Sequence, residues 1–579
     1  MNCLKNLTLI LAFLFTLFLN GTPAVNSLNS TESKKISVTD FGAKPDDGQN
    51  DAESLRKAMD YCRTHPGTLL FFPPGTYDFR DEKAVQLMED VMTGKMGQDP
   101  EKTIFVPYYP YVKGLDFSGM KNITVEADGA LLLCDGWMEP VSLSDCSNIT
   151  IKGLTIDYKR EPYSIGKIYK AEADYFEAEF DSRYPVNSKM PIPRMKFWDI
   201  KANRMFPNPI YFPKKFEIIS GQKVRIYSKT APGVEGNIVM IPHSFHFRPA
   251  VLILNAKETN LVNVTIHSQP GMGIVGHRSH NITLNGLRIV PSPGSVQSTN
   301  TDATHFTSCT GLIRFKECQF EGQGDDATNI HNYYYTIQKP ASGSGYDLLV
   351  KAGTFTHAQV LDYPDPGDKL ELVDKQTLAV VKTMLVKSRV NDIKNLLTHV
   401  TLNEELPKDI ENYFLINATR LPRVEITGCS ILSHLARGIL IKTRKVLIEH
   451  CLIRETTGTG IHVGAESWWH EGLPSADVVI RYNRIIRCGS GAGSQDGACG
   501  ITVKVEAPNE KVAGLHKRLL IEGNIIEGEN SNRGISISGA DEVTVRNNEI
   551  SGCKTPVHVQ YSTNVKVYNN RQVLAEESK

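Results

Sequence analysis

The sequence predicts an all-β chain wound as a parallel β-helix, capped by a helix at its N-terminal end and carrying two inserted, small β-barrel-like domains. The first observation behind this is a recurring template: ITIKGLTI (149–156), ITLNGLRI (282–289), IRFKECQF (313–320), VEITGCSI (424–431), VLIEHCLI (446–453), VVIRYNRI (478–485), LLIEGNII (519–526) and VTVRNNEI (543–550). Apolar residues alternate through each copy, as they do in a strand with one face inward. The second is a slot near the end of the template, occupied by Leu154, Leu287, Cys318, Cys429, Cys451, Asn483, Asn524, Asn548 and Asn570. It returns after 22 residues (429 to 451), 24 (524 to 548) and 22 (548 to 570). Such spacing matches a solenoid coil of roughly 20 to 25 residues. The third is composition: 45 glycines against an aromatic fraction of 8% suit many short strands joined by tight turns.

Each segment then finds its place. Lys5, the apolar run 7–19 and the small residues 20–24 have the three regions of a secretory signal (1–24). The run is short for a membrane span, and no later stretch matches it. An exported chain, periplasmic or extracellular, is expected. Segment 35–157 opens with a short strand and an amphipathic helix carrying Leu55, Ala58 and Met59, a plug for the solenoid's open end, and continues into the first coils. The template is then silent from Leu154 to Leu287 and from Cys318 to Cys429. Allowing for coils in between, the inserts fall at 158–248 and 333–420, separated by coils at 249–332 and followed by coils at 421–573. Both inserts alternate apolar and polar residues between Gly and Pro turns, as in KFEIIS (215–220) and KVRIYS (223–228).

Slot cysteines read as buried, stacked thiols rather than a disulfide framework, and slot asparagines as an inward amide ladder on the turn backbone. The Asn-Ile-Thr triplets at 122, 148 and 281 fit a glycosylation acceptor, but their recurrence where strands begin makes turn chemistry the better explanation. Lys plus Arg and Asp plus Glu both number 64, so neither nucleic acid nor an anionic membrane is suggested as a partner. No CxxC or His-rich spacing suggests zinc.

Chemistry concentrates in 300–331, NTDATHFTSCTGLIRFKECQFEGQGDDATNIH. Asp302 precedes Asp325 and Asp326 by about one coil, so stacking would set three carboxylates side by side. Like charges that close cannot all ionise, and the outcome is one acid beside one base, the requirement for glycosidic cleavage. A histidine trails each cluster, His305 and His331. Adjacent strand residues face opposite ways, so Asp325 and Asp326 share a cleft only if the backbone bends, which Gly324 permits.

The NTD of 300–302 followed by the GDD of 324–326 resembles the polygalacturonase-type glycoside hydrolases of family 28. The longer strings TDATHFTSC (301–309) and FEGQGDDATNIH (320–331) are similar to glycoside hydrolase family 110, the bacterial α-1,3-galactosidases, across nearly the whole mature chain. The resemblance implies a right-handed β-helix with β-barrel inserts. It further implies an inverting, exo-acting α-1,3-galactosidase that needs no cofactor or metal and acts on glycans with terminal α-galactose, blood-group-B-like or linear. In the polygalacturonase pattern Asp325 protonates the departing oxygen, while Asp302 and Asp326 hold and deprotonate the water. Carboxylates one coil apart would sit near 5 Å, closer to the retaining than the inverting separation.

The pattern's Gly-His-Gly and Arg-Ile-Lys do not occur here, which disfavours a uronate substrate. The local candidates for sugar contact are His277, His305, His331, Arg437, Lys442, His462 and Glu466, together with the aromatic faces of Trp468 and Trp469. The competing readings are a β-helical polysaccharide lyase or pectin-type hydrolase, and a secreted glycan-binding protein without catalysis. Self-association is left open.

Overall fold

The computed structural model describes residues 34–207, 211–213, 215–229, 233–340, 343–350, 355–491 and 497–573. The secretory-signal segment 1–24 lies outside them. A thirteen-stranded sheet of parallel pairs forms one wall of the solenoid, from Lys35–Ser37 to Thr563–Tyr568. Val424 faces Val446, and Val446 faces Val478, one coil on. In each strand the alternate residues, such as Val424 and Ile426, enter a single apolar core shared by all the coils. The helix Ala52–Thr64 closes the near end, its Leu55, Ala58, Met59 and Cys62 at spacings of three and four falling on one buried face.

The slot is an internal corner. Asn524 Nδ2 donates to the Ile480 carbonyl at 3.1 Å and to Asn548 Oδ1 at 2.9 Å. Its own Oδ1 accepts from Asn483 N at 3.0 Å. Each buried amide is satisfied by the coils on either side, which fixes the register as well as the turn. The ten cysteines among the described residues are unpaired, nine of them buried. Asn122, Asn148 and Asn281, of the three triplets, have φ of 56°, 53° and 54°, the left-handed turn conformation that asparagine tolerates.

The inserts differ from each other. In the second, strands Thr328–Gln338, Tyr346–Leu349, Leu397–Leu402, Val380–Asp392, Lys369–Asp374 and Tyr413–Asn417 pair in that order, and the last returns to the first, closing a six-stranded antiparallel barrel. The first is a seven-stranded antiparallel sheet spanning Tyr163–Ala171 to Ile238–Pro242, and no pairing among the described residues joins its two edges. Of the two barrel-like inserts expected, the second is thus a closed barrel and the first a β-sheet with its own apolar core. The edge strand Arg204–Met205 docks on the solenoid instead of closing the sheet: Met205 N–H donates to Ser433 Oγ at 2.8 Å and Arg204 pairs with Glu529 at 2.6 Å.

Replacing Asn524 with alanine removes the hydrogen bonds that its side chain makes to the Asn483 amide and the Ile480 carbonyl inside the core. We expect Asn524→Ala to lower the unfolding free energy by about 2–3 kcal/mol in a denaturant titration. Asn570→Ala, at the more exposed end of the ladder, should cost less than about 1 kcal/mol.

Candidate active site

Coil stacking sets the geometry of the site. Gly273 N–H donates to the Asp302 carbonyl, Ala303 N–H to that of Asp326, and Ala327 N–H to that of Arg437. Asp302, Asp326 and Arg437 therefore occupy one station on three successive coils. The register partner of Asp302 is Asp326, 24 residues on; Asp325 sits one residue earlier, in the bend before strand Thr328–Gln338. The bend lets both members of the doublet face the cleft, and one oxygen from each of Asp302, Asp325 and Asp326 lies within 4.8 Å of the others. Gly324 makes the bend possible, since a Cβ there would meet the Asn300 carbonyl at 2.0 Å and Lys196 Nζ at 2.4 Å.

The three carboxyls differ in partners. Asp326 is gripped by Arg437 on both oxygens, Nε to Oδ1 at 2.9 Å and Nη2 to Oδ2 at 2.8 Å, with the Arg437 amide adding 2.7 Å to Oδ1. A bidentate guanidinium pair of this kind keeps Asp326 as the charged member. Asp325 accepts only the Asp326 amide, at 3.1 Å, among its recorded side-chain hydrogen bonds. Burial, then the charges of Asp326 and Asp302, push its carboxyl well above the ordinary range.

Asp302 heads a chain of hydrogen bonds. Its Oδ2 meets His305 Nδ1 at 2.6 Å, His305 Nε2 meets His331 Nε2 at 2.8 Å, and His331 Nδ1 meets the Asn332 carbonyl at 2.9 Å. A carbonyl only accepts, so His331 carries its proton on Nδ1 and offers a lone pair at Nε2. His305 must then donate from Nε2, and in its neutral form it accepts at Nδ1, which requires the proton on Asp302. The chain thus holds one proton more than a carboxylate and two neutral rings would supply. Burial decides where it rests: it lowers His305 to about 4 and His331 to about 3, while burial and the Asp326 charge raise Asp302 well above its usual value.

A cavity of about 260 Å³ opens over the trio. The solenoid supplies its base, including Met272, Asn329 and Arg437, and a turn of the chain brings Glu466, Trp469 and Glu471. Phe245 and His246 come from the segment leaving the first insert, and His357 from the second. His246 is steadied through Nδ1 by Glu101, at 2.8 Å.

Of the candidates in the sequence, Asp302, His305, Asp325, Asp326, Arg437, Glu466 and Trp469 line this cavity. The others lie outside its lining. His331 is buried beside His305. Lys442 is buried between Glu466 and Glu471. His277 is sealed below the second insert, bonded to Thr307 at 2.7 Å and 3.4 Å from Asp362. His462 is fully buried, with both ring nitrogens unpaired. Trp468, 81% exposed, faces a separate hollow with Phe414 and Pro508.

The comparisons fit this architecture. Two family models match parts of the chain: "Right handed beta helix region" over 511–572, and "Rhamnogalacturonase A/epimerase, pectate lyase-like" over 35–91. The chain is similar to alpha-1,3-galactosidase A of Shewanella woodyi, 29% identical over 94% of this chain and 91% of the relative. It is also similar to alpha-1,3-galactosidase B of Bacteroides thetaiotaomicron, 27% identical over 79% and 76%. Alpha-1,3-galactosidase A of the same organism is 27% identical over 95% and 96%. The chain is a homologue of these alpha-1,3-galactosidases.

Several residues of the cleft carried no signal in the sequence of this homologue. Phe245, His246 and His357 reach the site because an insert docks there, and Glu471 because the chain turns back against strand Ile461–Glu466. Lys196, in strand Lys196–Asp199 of the first insert, ends fully buried behind Gly324 with no hydrogen-bond partner recorded for its Nζ. Burial lowers it to about 7, against the pull of Asp325. The glycine of the GDD string was the available hint, since a glycine before paired acids marks a close approach by something else.

Asp302 and Asp325 bind their protons more tightly folded than unfolded. Their contribution to stability is complete below the ordinary carboxyl value of 3.8 and is lost as pH rises through the raised values. Asp302→Asn and Asp325→Asn mimic the protonated form at every pH. Both should therefore melt at higher temperature than the parent at about pH 8, with the gap closing at about pH 4, in calorimetric scans across pH.

Proposed function

We propose that the chain is an exo-acting glycosidase that releases terminal α-1,3-linked galactose from glycans, blood-group-B-like, linear, or both, with inversion and without a cofactor. One observation carries the reading: three carboxyls share a small cavity in a homologue of alpha-1,3-galactosidases. At about 260 Å³ the cavity falls just under the roughly 300–1,000 Å³ of ordinary ligand sites, a size suited to one terminal sugar rather than a running chain.

The roles follow from the partners. Asp325, its carboxyl raised by burial and with no ion-pair partner among the described residues, donates its proton to the departing glycosidic oxygen. Asp326, kept charged by Arg437, takes the proton of the attacking water. Asp302, whose Oδ2 is occupied by His305, offers Oδ1 as the second hold on that water. Trp469 presents an indole face, about half exposed, for the C–H surface of the sugar. Close setting of the carboxyl oxygens is nearer to the spacing of retaining than of inverting pairs. The inverting assignment rests on the family resemblance and on a third carboxyl that lets a water be held between two others. The chain is read as exported, from its N-terminal apolar run.

Substrate charge is argued from the cavity lining. Asp302, Asp325, Asp326, Glu466 and Glu471 face it, while its single Lys or Arg, Arg437, is committed to Asp326 and Glu466. A uronate would meet carboxylates with no free cation in the lining, so a lyase or pectin hydrolase is disfavoured and a neutral hexose fits.

Asp325→Asn and Asp326→Asn should each lower turnover of a Gal-α1,3-Gal glycan by about 10³-fold or more. An aryl α-galactoside with an acidic phenol as leaving group separates the two. Asp325→Asn should recover most of its rate there, because the leaving group no longer needs a proton, and Asp326→Asn should not. Recovery by Asp326→Asn and not by Asp325→Asn would reverse the roles, equal recovery by both would overturn the assignment, and no galactose release by the parent enzyme would end the proposal. Proton NMR of the first anomer formed tests inversion: β-galactose supports it and α-galactose refutes it.

A further inference from the structure

His305, His331 and His357 each place one ring nitrogen within 4.8 Å of the other two. In each ring Nδ1 is already engaged: with Asp302 Oδ2 at 2.6 Å, with the Asn332 carbonyl at 2.9 Å, and with the Tyr333 hydroxyl at 2.9 Å. Nε2 is what each ring has left to offer. Carboxylate, carbonyl and hydroxyl groups that fix a histidine through one nitrogen and free the other are the supports that orient metal ligands.

The closest contact strengthens the point. His305 Nε2 and His331 Nε2 lie 2.8 Å apart, and two lone pairs cannot face each other there without a proton or a metal ion between them. In the ion-free protein that proton is the one on His305 Nε2, and the chain's additional proton rests on Asp302. A metal ion is the other species able to fill the gap. Tetrahedral zinc with Zn–N bonds of about 2.0–2.1 Å sets its nitrogens roughly 3.3 Å apart, so the pair need open by only about half an ångström. A fourth ligand is at hand: Glu471 Oε1 lies 3.6 Å from His331 Nε2, while Oε2 is held by Lys442 and Asn329.

We propose that His305, His331 and His357, with Glu471, form an inhibitory site for a divalent transition ion of the zinc class, for which imidazole is the preferred donor. The ion binds by displacing the shared proton, which leaves to solvent. His305 then carries its remaining proton on Nδ1 and donates it to Asp302, now a carboxylate. His305, His357 and Glu471 all line the sugar cavity, so ion and sugar compete for the same space. The ion takes no part in hydrolysis.

Cobalt(II) titrated into the full chain provides a readout independent of any glycosidase assay. The expected result is a visible d–d absorption that saturates at one cobalt per chain and is abolished by one equivalent of zinc. His331→Gln and His357→Gln should each lose it while keeping the parent circular dichroism. No absorption at saturating cobalt, or an absorption that survives both substitutions, would overturn the site. The inhibitory consequence rests on the galactosidase reading and is tested separately. Zinc at a concentration that fills the site should raise the KM for an α-galactoside at least tenfold, and an unchanged KM would overturn inhibition while leaving the site standing.

Discussion

The register of one coil on the next is the constraint on which everything in the cleft depends. Parallel strands at about 4.8 Å turn a separation of a whole coil into side-chain contact. Asp302 and Asp326 would repel in any fold that set them together without compensation. Here the next coil places Arg437 in the same column, and the guanidinium holds Asp326 charged while the other two acids keep their protons. The residues 326 and 437 are 111 apart in sequence, yet the column is unbroken, because the barrel leaves and re-enters the solenoid within a single coil.

The inserts turn that column into an enclosed site. A carboxyl on an open solenoid face would be solvated and would titrate as an ordinary surface acid. Phe245 and His246 on one side and His357 on the other remove water from around the trio, and desolvation is the largest influence on both raised aspartates. Lys196 extends the same logic behind the loop, where its buried amine lies close behind Gly324 and burial lowers its proton affinity. The acidic face of the cleft is thus assembled from three parts of the chain, and the acidity of its carboxyls is a property of the assembly.

What the sequence made legible follows from this division. Periodicity exposes whatever repeats once per coil, so the Asn483, Asn524, Asn548 and Asn570 corner and the pairing of the NTD and GDD strings were readable before any coordinates. Alternation also identifies which residues point outward along the cleft wall, and His277, His331, Lys442 and His462 all do. It does not reveal what covers them. His277 lies under the barrel beside Asp362, and Lys442 behind Glu466 and Glu471, so outward on the solenoid became buried in the protein. The reverse held for His246 and His357, which belong to irregular segments with no period and enter the site only by docking. Closure of one insert and not the other was equally hidden, because the deciding contact, Met205 to Ser433, joins residues 228 apart.

Charge balance in the cleft carries the argument for substrate one step further than shape does. A solenoid that binds uronates needs cations left over after its own acids are satisfied. In this cleft the acids outnumber the cations, Arg437 is shared between Asp326 and Glu466, and Lys442 is shared between Glu466 and Glu471. An added carboxylate would enter a field already negative. On the proposed function a neutral sugar leaves that balance intact, because its hydroxyls can donate to the surplus carboxyl oxygens. The same Arg437 that pairs with Asp326 and Glu466 is therefore the one Lys or Arg among the described residues that line the cavity, and it has no charge left over for a substrate anion.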